Sequence, residues 1–182
     1  YTTPEMKEPT EITGPIKMEL FAATSAKDTD WAAKLVDVQP NGIAQNIQSG
    51  IVRARYRNGG GKPAQAIEPD KVYNYSIDLW ATSYVIQPGH KLRLEISSSD
   101  FPRFDRNLNT GEDPATGTRM TVAKQTIYHS ARYPSHLVLP LIPGLGVTIN
   151  GAKIWVGVGP MSFQPGEFAK IAFALFFASY LV

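Results

Sequence analysis

Lys91-Leu92-Arg93-Leu94-Glu95-Ile96 alternates charged and aliphatic residues without a break. A period of two puts the aliphatics on one side of an extended chain and the charges on the other, the signature of a half-buried strand. Pro88-Gly89 precedes the segment and Ser97-Ser98-Ser99 follows it, so turn-forming residues bound it at both ends. The same alternation recurs on either side. Ile16, Met18 and Leu20 interleave with Lys17 and Glu19, and Tyr73, Tyr75, Ile77 and Leu79 with Asn74, Ser76 and Asp78. Downstream, Val122 and Tyr128 lie in a further candidate strand, and Leu137, Leu139 and Leu141 form the last. Pro40-Asn41-Gly42, Asn58-Gly59-Gly60-Gly61 and Pro69-Asp70 supply turns between them. About seven or eight short strands with long irregular connections predict a mainly β fold, a jelly-roll β sandwich of the galactose-binding-like kind. No helical period is visible before residue 165.

The chain has 182 residues, enough for one domain and a short appendage. Eighteen basic residues against sixteen acidic ones leave a net charge of +2, which argues against a nucleic-acid partner. With no cysteine, disulfides and thiolate chemistry are excluded. Tyr1 begins the chain without a signal-peptide pattern and is read as a cut end. Beyond residue 142 the only charges are Lys153, Glu167 and Lys170, and Ile171 to Val182 carry none. A bilayer span needs about 20 apolar residues, so this run reads either as a buried C-terminal helix or as a membrane-type helix cut in mid-span. The composition therefore divides the chain into 1–142 and 143–182.

Direct signs of catalysis are scarce. No Gly-x-Ser-x-Gly elbow is present to launch a serine nucleophile. His90, His129 and His136 lack zinc-site spacing, and neither a metal nor a cofactor is expected. His90, at a strand entrance, reads as a structural hydrogen-bonding group. Asp28-Thr29-Asp30 reads as a turn or cap built on short carboxylates, with a metal-binding pair as the alternative. Arg53, Arg55 and Arg57 read as one face of a strand at a solvated sheet edge. The segment Ser97 to Gly111 is different: it has no period, yet it gathers Phe101, Arg103, Phe104, Asp105, Arg106, Asn107 and Asn109. Aromatics beside guanidinium groups are favoured interface anchors. The loop is therefore the candidate interface or pocket element, with docking over an open end of its own sandwich as the other reading.

Several of these stretches together resemble the C-terminal domain of X-Pro dipeptidyl-peptidases and cocaine-esterase-like (CocE/NonD) hydrolases. They are Asp28-Thr29-Asp30, Lys34 to Val38 with Asn41-Gly42, Gly50 to Arg57, Asp78-Leu79-Trp80, Gly89 to Leu94, Ser98 to Asn107 and Ser135-His136-Leu137. The resemblance runs from about Gly14 to Leu139. It implies a jelly roll that follows an α/β-hydrolase domain, expected upstream of Tyr1, which carries the Ser-Asp-His triad. It also implies that the jelly roll packs on that domain and helps to wall its substrate pocket. Hydrolysis of esters, amides or Xaa-Pro peptides would belong to the whole enzyme. None of the three histidines here is the catalytic one.

Residues 144–182 are similar to a different family, the FtsW/RodA/SpoVE membrane glycosyltransferases. Asn150-Gly151-Ala152-Lys153-Ile154-Trp155 and Ser162-Phe163-Gln164-Pro165-Gly166-Glu167 with Lys170 carry that likeness, Gly166 standing where the family has Ser. It implies a loop and a truncated membrane helix, with Glu167 and Lys170 as a charged pair lining a membrane cavity. An interfacial pair at the water-facing start of the helix is the other reading. A junction of two families between about 139 and 146 is the expectation, by fusion or by a misassembled reading frame.

Three functional readings follow. The first is a non-catalytic domain of a CocE/NonD-type hydrolase. The second is a membrane-tethered carbohydrate-binding jelly roll with Trp31, Trp80 and Tyr84 as an aromatic platform. The third is a fragment of a lipid II-polymerising cell-wall protein.

Overall fold

The computed structural model describes residues 1–59 and 61–141, together with the backbone of short strands within 146–163. Seven strands build the main body: β1 (Thr10–Thr24), β2 (Asp30–Val38), β3 (Ala44–Arg53), β4 (Tyr73–Ile86), β5 (Lys91–Ser97), β6 (Gln125–Tyr128) and β7 (His136–Val138). They form two antiparallel sheets. One has the order β4-β1-β6, with β7 also pairing β1, and the other has the order β3-β2-β5. A mainly β architecture is what the alternating sequence predicts.

Side chains of both sheets meet in one core. Ile12, Ile16, Met18, Leu20 and Ala22 of β1 pack with Tyr75, Ile77 and Leu79 of β4 and with Trp31, Ala33 and Leu35 of β2. The residues that the period of two assigns to solvent, Asn74, Ser76 and Asp78, are exposed. On β5, Leu92 is buried while Leu94 and Ile96 pack partly against the core. Gly42 and Gly89 adopt φ of +86° and +82°, a region that suits glycine, so the turns expected at these positions are present.

The free edge of β5 is covered by the N-terminus. The Tyr1 amino group donates to Leu94 O (2.9 Å), Leu94 N–H donates to Tyr1 O (2.8 Å), and Thr3 N–H donates to Leu92 O (2.9 Å). Residues 1–3 thus occupy backbone groups that would otherwise be open to edge pairing. Between the sheets, buried Asp37 of β2 accepts from Tyr84 Oη (2.8 Å) and lies 2.9 Å from His90 Nδ1. Burial, with the carboxylate acceptor beside it, pushes the Tyr84 phenol up to about 12. His90 holds the structural position that its place at a strand entrance suggests.

Three expectations are corrected. Val122 belongs to no strand and is 94% exposed, because β6 begins only at Gln125. Leu137 and Leu139 do pack on the core, but Leu141 is exposed and lies outside β7, bridged to Ile12. Arg53, Arg55 and Arg57 do not share a strand face, since β3 ends at Arg53 and Ala54–Tyr56 forms a 3-10 helix.

Further along, β8 (Gly146–Ile149), β9 (Ala152–Val158) and β10 (Met161–Phe163) form an antiparallel sheet in the order β10-β9-β8. Strands stand here where a loop was expected, and the β-branched Ile154, Val156 and Val158 at alternate positions suit them. Glu167, Lys170 and the expected C-terminal helix lie outside the described residues. Among the described residues no helix is long and apolar enough to cross a membrane.

Candidate functional site

Asp28-Thr29-Asp30 leads into β2, and all three residues are buried, Asp30 at 2% exposure. Two carboxylates cannot stay buried unless they are paired and hydrogen-bonded. The partners come from the end of β3. Arg53 stands opposite Asp30 in the ladder and grips it bidentately, Nε to Oδ1 at 2.8 Å and Nη2 to Oδ2 at 3.1 Å. The 3-10 turn then swings Arg55 onto Asp28: its backbone N–H donates to Oδ1 (3.1 Å) and its Nε to Oδ2 (2.6 Å). The hydrogen bonds it donates to Asp30 hold the Arg53 guanidinium above its ordinary value despite partial burial. Asp28 and Asp30 thus act as anchors for arginines, and the three arginines are not a solvated edge. Arg57 completes the set by stacking over Tyr73, 4.5 Å from the ring centroid.

The irregular loop is locked onto this cluster. Asn107 Nδ2 donates to Asp28 Oδ2 and to Asp30 Oδ1, both at 2.9 Å, bridging the two carboxylates. Its Oδ1 accepts Asn109 N–H (2.9 Å), and Asn109 Nδ2 reaches Thr121 O (2.9 Å). Arg53 Nη2 extends to the Asp105 carboxylate at 3.2 Å. Two further ties hold the loop against the sheet: Asp100 pairs with Lys34 of β2 at 2.6 Å, and Arg103 donates to Ser49 Oγ of β3. The loop therefore docks on its own sheet through its root.

The two aromatic rings at its tip are not buried by this docking. Phe101 is 62% exposed and Phe104 is partly so. Arg106 lies over the Phe101 ring at 5.2 Å and Arg103 over Phe104 at 5.3 Å. Such cation–π contacts keep the rings in fixed poses without covering them. Beside the tip an open cleft of about 150 Å³ is lined by Asp30, Ile51, Arg53, Tyr56, Phe104 and Asp105. All seven loop residues singled out in the sequence thus fall in one neighbourhood. Sequence reasoning missed what holds them, namely Asp28, Asp30, Arg53, Arg55, Lys34 and Ser49.

The arrangement is suited to presenting a surface. The charged groups at the loop root are engaged with one another. Ser135 shares a groove with His129 and His136, yet its hydroxyl accepts Phe21 N–H (2.8 Å) and donates to Tyr128 O (2.5 Å). His136 Nδ1 lies 2.7 Å from Pro134 O. Among the described residues no group of three or more His, Asp and Glu side chains could hold a metal ion. The aromatic platform does not form: Trp31 is a core residue at 1% exposure and Tyr84 is tied to Asp37.

Known proteins resemble this chain in two stretches. The family model described as the X-Pro dipeptidyl-peptidase C-terminal non-catalytic domain matches residues 1–138. The cocaine esterase of Rhodococcus sp. (strain MB1 Bresler) is 44% identical over 144 residues, covering 78% of this chain and 25% of the esterase. The solved structure of an α-amino acid ester hydrolase superposes with a TM-score of 0.74 at 29% identity, covering 78% of this chain and 25% of that one. A second model, described as a cell cycle protein and of the FtsW/RodA/SpoVE kind, matches residues 122–182. There the likeness is to the probable peptidoglycan glycosyltransferase FtsW of Allochromatium vinosum, 52% identical over 46 residues, 25% of this chain and 12% of that protein. The chain thus spans about a quarter of the curated hydrolase it matches, and about an eighth of the glycosyltransferase.

Proposed function

The chain belongs to the X-Pro dipeptidyl-peptidase C-terminal non-catalytic domain family, and from that premise we propose that it serves a CocE/NonD-type serine hydrolase as a jelly-roll domain. Its task is to pack on a preceding α/β-hydrolase domain and help to wall the substrate pocket. The ester, amide or Xaa-Pro bond is broken by that domain and not by this one. The observation that carries the reading is the loop Ser98 to Asn109. Its root is locked by hydrogen bonds from Asn107 to the buried Asp28 and Asp30 carboxylates, while Phe101 and Phe104 are held outward. Ordering a loop before it meets a partner removes an entropic cost of association. Side chains of this kind, aromatic with Arg alongside, are the usual interface anchors.

The 182-residue chain alone is expected to turn over neither 4-nitrophenyl acetate nor an Xaa-Pro 4-nitroanilide above buffer. Turnover abolished by a serine-directed inhibitor would overturn the assignment. As a direct test of the loop, the tagged chain is co-expressed with Rhodococcus cocaine esterase lacking its matching C-terminal quarter. The double variant F101A/F104A should lower the recovered complex at least tenfold, the cost of about 1.4 kcal/mol or more expected when two anchors are truncated. Undiminished recovery would show that the partner docks elsewhere.

We further infer a division into 1–142 and 143–182, the second unit being a segment of FtsW-like type with Glu167 and Lys170 as its charged pair. The local identity over 46 residues supports that reading. Partitioning of the full chain, but not of residues 1–142, into detergent micelles is its test.

A further inference from the structure

Trp80 sits in β4 with a backbone φ of +67°. A bulky aromatic in that left-handed region is a rare conformation, persisting only where the surroundings enforce it. The enforcement is visible. Opposite Trp80, the β1–β4 register slips between Pro15 and Lys17, so that Leu79 and Trp80 together face Ile16 alone in a bulge. Asp78 Oδ1 accepts the Trp80 N–H at 2.8 Å. The indole nevertheless contributes little to the core, being 65% exposed.

The bulge and the aromatic loop are fastened to three consecutive residues of β3, the loop to the middle one and the bulge to its two neighbours. Gln48 Nε2 donates to Ala81 O at 2.8 Å, Ser49 Oγ accepts from Arg103, and Gly50 lies against the backbone of Asp78 and Leu79. Consecutive residues therefore fix Trp80 and the Phe101–Phe104 tip relative to each other. We propose that Trp80 is a further anchor of the interface with the hydrolase domain, held out on a strained bulge so that its indole meets that domain already oriented. This rests on the domain-packing reading given above.

The direction of the N-terminal segment points to that occupant. Tyr1 pairs with Leu94 and Thr3 with Leu92 in antiparallel fashion. A chain arriving at Tyr1 from a preceding domain would thus come from the side of the loop's start at Ser98 and pass Ser97 and Ile96 on its way. A hydrolase domain preceding the chain, as proposed above, would then lie at the end of the sheet that carries the aromatic loop.

The test uses the full 182-residue chain with the truncated Rhodococcus cocaine esterase described above, measuring affinity by titration and the chain's own melting temperature. In Trp80→Gly the strain is relieved, since glycine tolerates positive φ, so the melting temperature should hold or rise by a few degrees. Affinity should fall about 30-fold or more, the loss typical of a dominant interface side chain. Trp80→Phe should retain part of it. A parallel fall in melting temperature and affinity would make Trp80 a structural residue and overturn the inference. Unchanged affinity in Trp80→Gly would overturn it too while leaving the domain-packing reading intact. No association by the parent chain would overturn both.

Discussion

Replacing Asp30 with alanine should destabilise the chain by about 3 kcal/mol or more, because it strips a bidentate partner from Arg53 and an acceptor from Asn107 at once. Asp30 is almost fully buried and the Arg53 side chain is only 19% exposed, so water cannot fully replace the lost carboxylate. For a domain of this size the melting temperature should drop by about 6–12 °C. The loss is the cost of a largely buried guanidinium left with only the exposed Asp105 carboxylate rather than the net worth of the pair, so removing both partners should recover much of it. The double variant Asp30→Ala/Arg53→Met is therefore expected to be more stable than Asp30→Ala alone. Chemical denaturation of the three proteins checks this. A loss below about 1 kcal/mol in the single variant would show that the pair is screened like an ordinary surface bridge. The loop should feel the change as well: Asn107 keeps Asp28, but the bridge that unites the two carboxylates is gone, and protease cleavage near Phe104 should accelerate.

The lattice around Asp30 was hidden in the sequence for a definite reason. Alternation along one strand reports which residues face the core, but not which residue on another strand each side chain meets. Arg53, Arg55 and Arg57 looked like a stripe because period two continues through them on paper, whereas the chain leaves the strand at Arg53 and turns into a 3-10 helix. The carboxylates that hold Arg53 and Arg55 lie more than twenty residues away. Strand β2 was equally hard to see: it is buried over almost its whole length, Ala32 and Val36 included, and so lacks the polar-out half of the pattern. The strands with one wet face, β1, β4 and β5, were legible. So was the aromatic loop, since composition alone set it apart. Trp80 was not, because the usual signal for positive φ is Gly or Asn, and nothing local marks a tryptophan there.

The other large effect is expected at Gly50, where β3 lies against the backbone of β4. A Cβ added there would lie 2.0 Å from the Asp78 carbonyl oxygen and 2.8 Å from its carbon. Neither atom belongs to a side chain that could swing away. Asp78 is itself held in register against Lys17 of β1, so β4 cannot retreat without breaking its ladder. Gly50→Ala must therefore force strands β3 and β4 apart, and a cost of about 3 kcal/mol or more is expected, at the upper end of overpacking. Gly42→Ala is the control: it carries a φ of +86° with nothing within 4 Å of the added Cβ, so only backbone strain, about 1 kcal/mol, opposes it. The difference in denaturation midpoint between the two variants isolates steric closure from glycine's conformational freedom. If Gly50→Ala were no worse than Gly42→Ala, the β3–β4 approach would be loose, and the bulge that presents Trp80 would lose its fixed support. If the expected gap appears, the same variant should also make Trp80 more accessible to acrylamide quenching, since the strand that backs the bulge has been pushed away.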